Sequence, residues 1–241
     1  MPVEFIGLIA TADQSETRET DGPLIDPAYV RRFARAHEDS DFDRVLIGYS
    51  SSSPDNIQVA AYAAAHTERL KFLIAHRPGV VHPTVAARYF ATLDQLSQGR
   101  IAIHTITGGS DQEQRRDGDY LDKSERYARS EEYLQILKRA WTETEPFSHD
   151  GQFYTFEDFV LSFPNYQEPR IPIYFGGSSD DAYRVGAAEA DVFATFAQPL
   201  DQIAEEIERV KAAAAAAGRT EPPRISVSFR PILGATEDHA W

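Results

Sequence analysis

Residues 70–107, LKFLIAHRPGVVHPTVAARYFATLDQLSQGRIAIHTIT, hold one complete structural unit. The runs 70–76 (LKFLIAH) and 101–107 (IAIHTIT) are short, continuous and apolar. Strands read this way when both faces of their sheet are covered, as in a parallel sheet flanked by helices. Between them, Val85, Tyr89, Leu93 and Leu96 recur at helical spacing, so 84–97 is expected to be a helix. Strand, helix, strand in that order is a βα alternation, and its two strands are expected to lie parallel.

The same alternation continues outward. Further strands are expected at 4–10, 44–50, 171–176, 191–197 and 225–233. Helix starts are expected at Asp26-Pro27 and Ser53-Pro54, each an N-cap residue followed by proline at the first helical position. Residues 123–142 carry Tyr127, Tyr133, Leu134, Leu137 and Trp141 at helical spacing, and the run KAAAAAAG at 211–218 ends a helix, with Gly218 as its stop. Seven βα units favour a (β/α)8 TIM barrel over an open sheet, formed as a single domain over 1–241. Residues 146–169 break the rhythm and are expected to form an excursion with one hairpin centred on Asp150-Gly151. Residues 108–122 read as a long polar loop, functional or mobile. The chain reaches Trp241 inside a new helical pattern, so the eighth strand and its helix are expected to lie outside it, in a longer protein.

Composition narrows the function. A hydrophobic fraction of 42% and a charged fraction of 26% fit a soluble globular chain. The formal net charge of −14 repels nucleic acid and anionic membranes, so neither is expected as a partner. No run is long enough to span a bilayer. The N-terminus lacks a basic region followed by an apolar core, so it is not read as a signal peptide, and a cytoplasmic location is expected. The absence of cysteine excludes disulfides, thiolate chemistry and cysteine metal sites. Asp117-Gly118-Asp119 lacks the ligand spacing of an EF-hand, and no metal site is expected. Neither nucleotide-binding glycine fingerprint is present, nor a GxSxG elbow.

Barrel chemistry sits at the C-terminal ends of strands. Collected there are Thr11, Tyr49 to Ser53, His76, Arg77, His104, Thr105, Thr107, Gly176 to Ser179 and Arg230. Hydroxyls, imidazoles and guanidiniums with hardly a carboxylate suit a large anionic ligand. His104 is either a core histidine satisfied by a carbonyl or a group facing the barrel mouth. Strand alternation puts it on the opposite face from Thr105 and Thr107, so only one set faces inward. Arg77 is either a structural ion pair or a site cation. Arg126 either pairs with an acid or, with Tyr127, meets a phosphate. The stretch YFGGSSDDAY, 174–183, ends a strand in two glycines and two serines and then opens a helix. It is either a tight turn capped by Ser178 or Ser179, or a cradle of free N–H groups for a phosphate.

The ordered set RPG, HPTVAAR, ATLDQLSQGR, TGG, ERY and YFGGSS resembles the bacterial luciferase-like flavin monooxygenases, and within them most closely the alkanesulfonate monooxygenases. The resemblance runs over essentially the whole chain. It implies a (β/α)8 barrel and an enzyme that uses reduced FMN and O2 to oxygenate a small organic, organosulfur-like substrate. A separate NAD(P)H-dependent flavin reductase would supply the reduced flavin. It also leaves open an F420-dependent oxidoreductase, and a non-catalytic flavin-binding protein. It implies that Gly177, Ser178 and Ser179 hold the cofactor phosphate with Tyr127, and that His104 and Thr107 lie near the flavin ring and ribityl chain. Arg230 matches an arginine that binds sulfonate, which with His104 makes it a catalytic candidate. Thr11, Ser53 and Ile232 stand where alkanesulfonate monooxygenases carry His, Cys and His. Thr11 and Ser53 are therefore candidate substrate contacts with altered chemistry. A homo-oligomer, dimer or tetramer, is expected through the helix faces at Val59, Tyr62, Ala63 and His66 and at Tyr89, Phe90 and Leu93.

Overall fold

The computed structural model describes residues 3–14 and 21–241. The chain divides into two compact units, Met1–Tyr174 and Phe175–Trp241. The first holds β1 (Ile6–Leu8), α1 (Pro27–Asp39), β2 (Arg44–Ile47), α2 (Asn56–Ala64), β3 (Lys71–His76), α3 (Pro83–Ser97), β4 (Ile101–Thr105), α4 (Asp111–Arg116), α5 (Lys123–Thr142), β5 (Phe147–Asp150) and β6 (Thr155–Phe159). Strand β7 (Ile173–Gly176) carries the division. The second unit continues with α6 (Asp180–Glu189), β8 (Val192–Phe196), α7 (Leu200–Ala216), β9 (Arg224–Ser228) and α8 (Glu237–Ala240).

The strand order is β1-β2-β3-β4-β7-β8-β9, with β5 and β6 apart as an antiparallel pair. The pairs β1–β2, β2–β3, β3–β4 and β8–β9 are parallel, as the βα alternation requires. The runs 44–50, 101–107 and 225–233 lose residues at their C-terminal ends, 70–76 and 171–176 at their N-terminal ends, and 4–10 and 191–197 at both. The run 101–107 leaves the ladder after Thr105, and 225–233 leaves it after Ser228. The trailing residues serve the loops that follow.

Helix boundaries follow capping chemistry. The Asp26 carboxylate accepts from the Ala28 and Tyr29 amides at 2.9 and 3.1 Å, with Pro27 at the first helical position. Asp122 and Glu125 form a reciprocal capping box at the start of α5. Helix α7 stops as its glycine predicts, with Gly218 at φ +78°. One expected cap is wrong. Ser53 starts no helix; its hydroxyl accepts from the Ser50 amide at 3.0 Å and donates to the Ser50 carbonyl at 2.9 Å. Asp55 caps α2 instead, accepting from the Gln58 amide. Serine hydroxyls compete for nearby backbone in this way, and here the local turn won.

The core of the first unit lies between the strands and α3 and α5. Phe72, Phe90, Leu134 and Leu137 are fully buried, each contributing roughly 1.5–3 kcal/mol of transfer free energy. Tyr127, Tyr133, Leu134, Leu137 and Trp141 of α5 are all buried, as their spacing predicts. The α3 stripe differs: Leu96 and Tyr89 are exposed, while Ala86, Phe90, Leu93 and Ser97 face the core. Small alanines let α3 approach closely, which the larger residues disguised. Ala63, Phe90 and Leu93, expected on an oligomer face, are buried within the chain.

The excursion is anchored by two carboxylates. Buried Asp94 accepts from the Tyr166 and Gln167 amides at 2.7 and 2.9 Å. Glu132 accepts from the Phe153 and Tyr154 amides and contacts His149 Nε2 at 3.0 Å. The hairpin turn begins at Asp150-Gly151, where the Gly151 amide bonds the Tyr154 carbonyl. In the second unit, Tyr183 stacks on Phe193 at 5.3 Å, with Ala187, Val210 and Ala214 closing the cluster.

Candidate functional site

Register decides which way His104 points. Across the β3–β4 pair, His76 lies opposite Thr105, and Ala75 opposite His104. The His76 ring meets Phe90 of α3 at 5.0 Å and Tyr133 of α5 at 5.4 Å. His76 and Thr105 therefore face the helices, and His104 with Ala75 faces the other side of the sheet. Of the two alternatives, His104 is the inward one at the C-terminal end of β4. Its Nδ1 is buried and has no hydrogen-bond partner. Burial pushes the imidazole pKa down to about 4, so the ring is neutral at pH 7. A buried polar atom without a partner is costly, and a bound group that hydrogen-bonds it removes the cost.

Around the same strand ends stands an arginine–carboxylate clasp that the sequence did not disclose. Arg77, 2% exposed, donates to Asp117 Oδ2 at 2.9 Å and to Glu113 Oε1 at 2.8 Å. Its guanidinium lies 4.6 Å from the Tyr49 ring centroid, and the Tyr49 hydroxyl donates to Asp117 at 2.9 Å. Burial and then the Asp117 contact raise the Tyr49 pKa to about 12. Arg129 holds Asp119 through both Nη atoms, at 3.1 and 2.5 Å. Arg126 donates to the Thr107 and Leu121 carbonyls and pairs with Asp111 at 2.9 Å. So Arg77 and Arg126 are both ion-paired, and carboxylates do reach the strand ends. They come from α4 and the turn after it, inside the segment expected to be a loop. The available signal was the acidic spacing Asp111, Glu113, Asp117 and Asp119; their partners lie far off in sequence.

The other candidates fall as follows. Thr107 is buried and Tyr127 is 4% exposed on α5, one residue from the arginine that reaches the Thr107 carbonyl. The Thr11 hydroxyl donates to the Leu24 carbonyl at 2.8 Å. Ser53 is exposed and spends its hydroxyl on its own turn. In the second unit, Gly177 has φ +153°, a conformation that favours glycine. Ser178 is exposed, and Ser179 is the N-cap of α6, accepting from the Ala182 amide at 3.3 Å. Arg230 and Ile232 are exposed and lie beyond β9, so Arg230 is not on the strand as expected.

Among the described residues there is no group of three or more His, Asp or Glu side chains placed to hold a metal ion. Among them, too, no helix is long and apolar enough to cross a membrane.

The model of the luciferase-like monooxygenase family matches residues 4–241. The chain belongs to that family, and its fold is the family's TIM-barrel fold. Solved structures agree on the fold. A riboflavin lyase with modified FMN and substrate riboflavin superposes with TM-score 0.86 at 18% identity, over 98% of this chain and 63% of that one. EDTA monooxygenase from Chelativorans sp. BNC1 gives TM-score 0.85 at 20% identity, over 98% of this chain and 64% of that one. An F420-dependent secondary alcohol dehydrogenase with an F420-acetone adduct gives 0.77 at 17% identity, over 94% and 67%. The chain thus spans a little under two thirds of the length of the first two.

Proposed function

We propose that the chain is the core of a reduced-FMN- and O2-dependent monooxygenase acting on a small organic substrate, with an organosulfur anion as the leading class. The observation that carries this is His104: a neutral imidazole at the end of β4, on the face away from the helices, with buried Nδ1 unpartnered. A flavin or deazaflavin offers ring carbonyls, ring nitrogens and ribityl hydroxyls that suit such a group. Gly177, Ser178 and Ser179 fit a phosphate, since a helix N-terminus beside a glycine-rich turn attracts anions.

When bound, reduced flavin supplies the electrons that activate O2 for oxygen insertion. The protein's part is to bind and orient. In the first unit His104 suits the flavin ring, Thr107, beyond the end of β4 where strand alternation no longer applies, the ribityl chain, and Tyr127 a phosphate oxygen; in the second unit the Gly177–Ser179 turn suits the phosphate. Arg230 suits the anionic head of a substrate, and Thr11 and Ser53 are the candidate substrate contacts of the first unit. The buried walls of β3 and β4 keep water from the reacting centre.

The reduced flavin would come from a separate NAD(P)H-dependent reductase. We place the enzyme in the cytoplasm, as one domain over 1–241 within a homo-oligomer, dimer or tetramer. A second reading is an F420-dependent oxidoreductase, supported by likeness to the F420-dependent alcohol dehydrogenase. Side-by-side titration with reduced FMN, oxidised FMN and F420 separates the two.

A further inference from the structure

Residues 109–117 run between two glycines in the left-handed region, Gly108 at φ +85° and Gly118 at φ +78°. A Cβ placed on Gly118 would meet nothing within 4 Å, so its side of the turn is open. The acids of the segment pair with the body it lies on, while its own Arg115 and Arg116 are exposed. Its acids are Asp111, Glu113 and Asp117; the facing groups are Arg77 after β3 and Arg126 on α5. Glu113 also accepts from the Ser51 amide after β2 at 2.9 Å, and Asp117 from the Tyr49 hydroxyl.

The docking is polar and incomplete. Both amide atoms of fully buried Gln114 lack partners, as do Ser51 Oγ and Arg77 Nε. A permanent core leaves few such atoms. The fixed and movable contacts are distinct. Arg126 is held by the Thr107 and Leu121 carbonyls whatever Asp111 does, and Asp111 is largely exposed. Asp119, beyond the Gly118 hinge, stays on Arg129. What holds the segment down is therefore the bonding of Glu113 and Asp117, centred on Arg77 with the Ser51 amide and the Tyr49 hydroxyl beside it.

We propose that residues 109–117 are a hinged strap, latched by Arg77 over the C-terminal ends of β2, β3 and β4, and that its release opens those strand ends to a ligand. Arg77 is a positioning residue here: it acts through the strap. The strap rests on its hinges and its clasp, and stands whichever cofactor the protein takes.

Hydrogen exchange read by mass spectrometry tests it on the full chain. Glu113→Gln with Asp117→Asn is expected to speed exchange of the 111–118 amides at least 10-fold, with β3 and α5 peptides unchanged. Arg115 and Arg116 are exposed, so trypsin should cut there faster by a similar factor. Glu113→Gln alone should give a smaller effect confined to the same peptide. Unchanged exchange in the strap would overturn the proposal. So would acceleration shared equally by β3 and α5, because the segment would then open only with the whole fold.

Discussion

Tyr133 places its phenol oxygen 2.6 Å from Nε2 of His76, and both rings are buried between the strands and α5. Burial lowers the His76 pKa to about 4 and raises that of Tyr133 well above its usual value. Both groups are therefore neutral at pH 7, and the pair is satisfied without a buried charge.

Stability should fall as pH drops below about 6.5. A histidine whose folded pKa is lowered takes up its proton more readily unfolded, so its contribution is present above 6.5 and is lost towards pH 4. For His76 alone the full loss is on the order of 3 kcal/mol. His104 and His82, also lowered by burial, act in the same direction. Glu113 and Asp119 have lowered pKa values: burial raises them, and the arginine contacts outweigh it. Their loss comes only near pH 4.5 and below, so the slope between pH 6.5 and 5 belongs to the histidines. Urea midpoints at pH 7, 6 and 5 check it; a flat profile would contradict the buried, neutral imidazoles.

Tyr133→Phe should cost about 1–3 kcal/mol, the penalty for leaving buried His76 Nε2 without its partner. Chemical denaturation measures this. The far-UV spectrum should not change, because the ring and its contacts with His76 and Tyr154 remain.

Gly108→Ala should destabilise by about 2–4 kcal/mol. The φ of +85° disfavours a Cβ, and a Cβ built there meets the Gln114 side-chain amide and its carbonyl carbon inside any allowed contact. Gly118→Ala, with a similar φ but open surroundings, should cost only the backbone part, about 1–2 kcal/mol. Thermal denaturation of the two variants separates conformation from crowding.

Ser178→Ala with Ser179→Ala should weaken flavin binding by about 2–4 kcal/mol, taking roughly 1–2 kcal/mol per lost charge-assisted hydrogen bond. Ser179→Ala alone also removes the α6 cap, at about 1 kcal/mol of stability. Ser178→Ala alone should leave stability unchanged. Calorimetric titration with FMN beside a denaturation curve keeps the two effects apart.

Local chemistry was legible in the sequence, and remote pairing was not. Asp26-Pro27, the 123–142 helix and the Asp150-Gly151 turn are set by neighbours in the chain, and each appears where its residues place it. Ser53 misled because two local bonds compete for one hydroxyl, and sequence does not say which closes. Arg77 reads as an isolated cation, since Glu113 and Asp117 lie 36 and 40 residues away. The His104 alternation restricted the answer to two faces. Only the contact of His76 with Phe90 and Tyr133 says which face is which.

The most direct test of the flavin assignment is an anaerobic fluorescence titration of the protein with reduced FMN, oxidised FMN and F420 in parallel. Micromolar or tighter binding of reduced FMN is expected, with weaker binding of oxidised FMN and loss of affinity in His104→Ala. Preference for F420 would contradict the monooxygenase reading and move the protein to hydride transfer. Binding of none of the three would contradict the cofactor assignment itself.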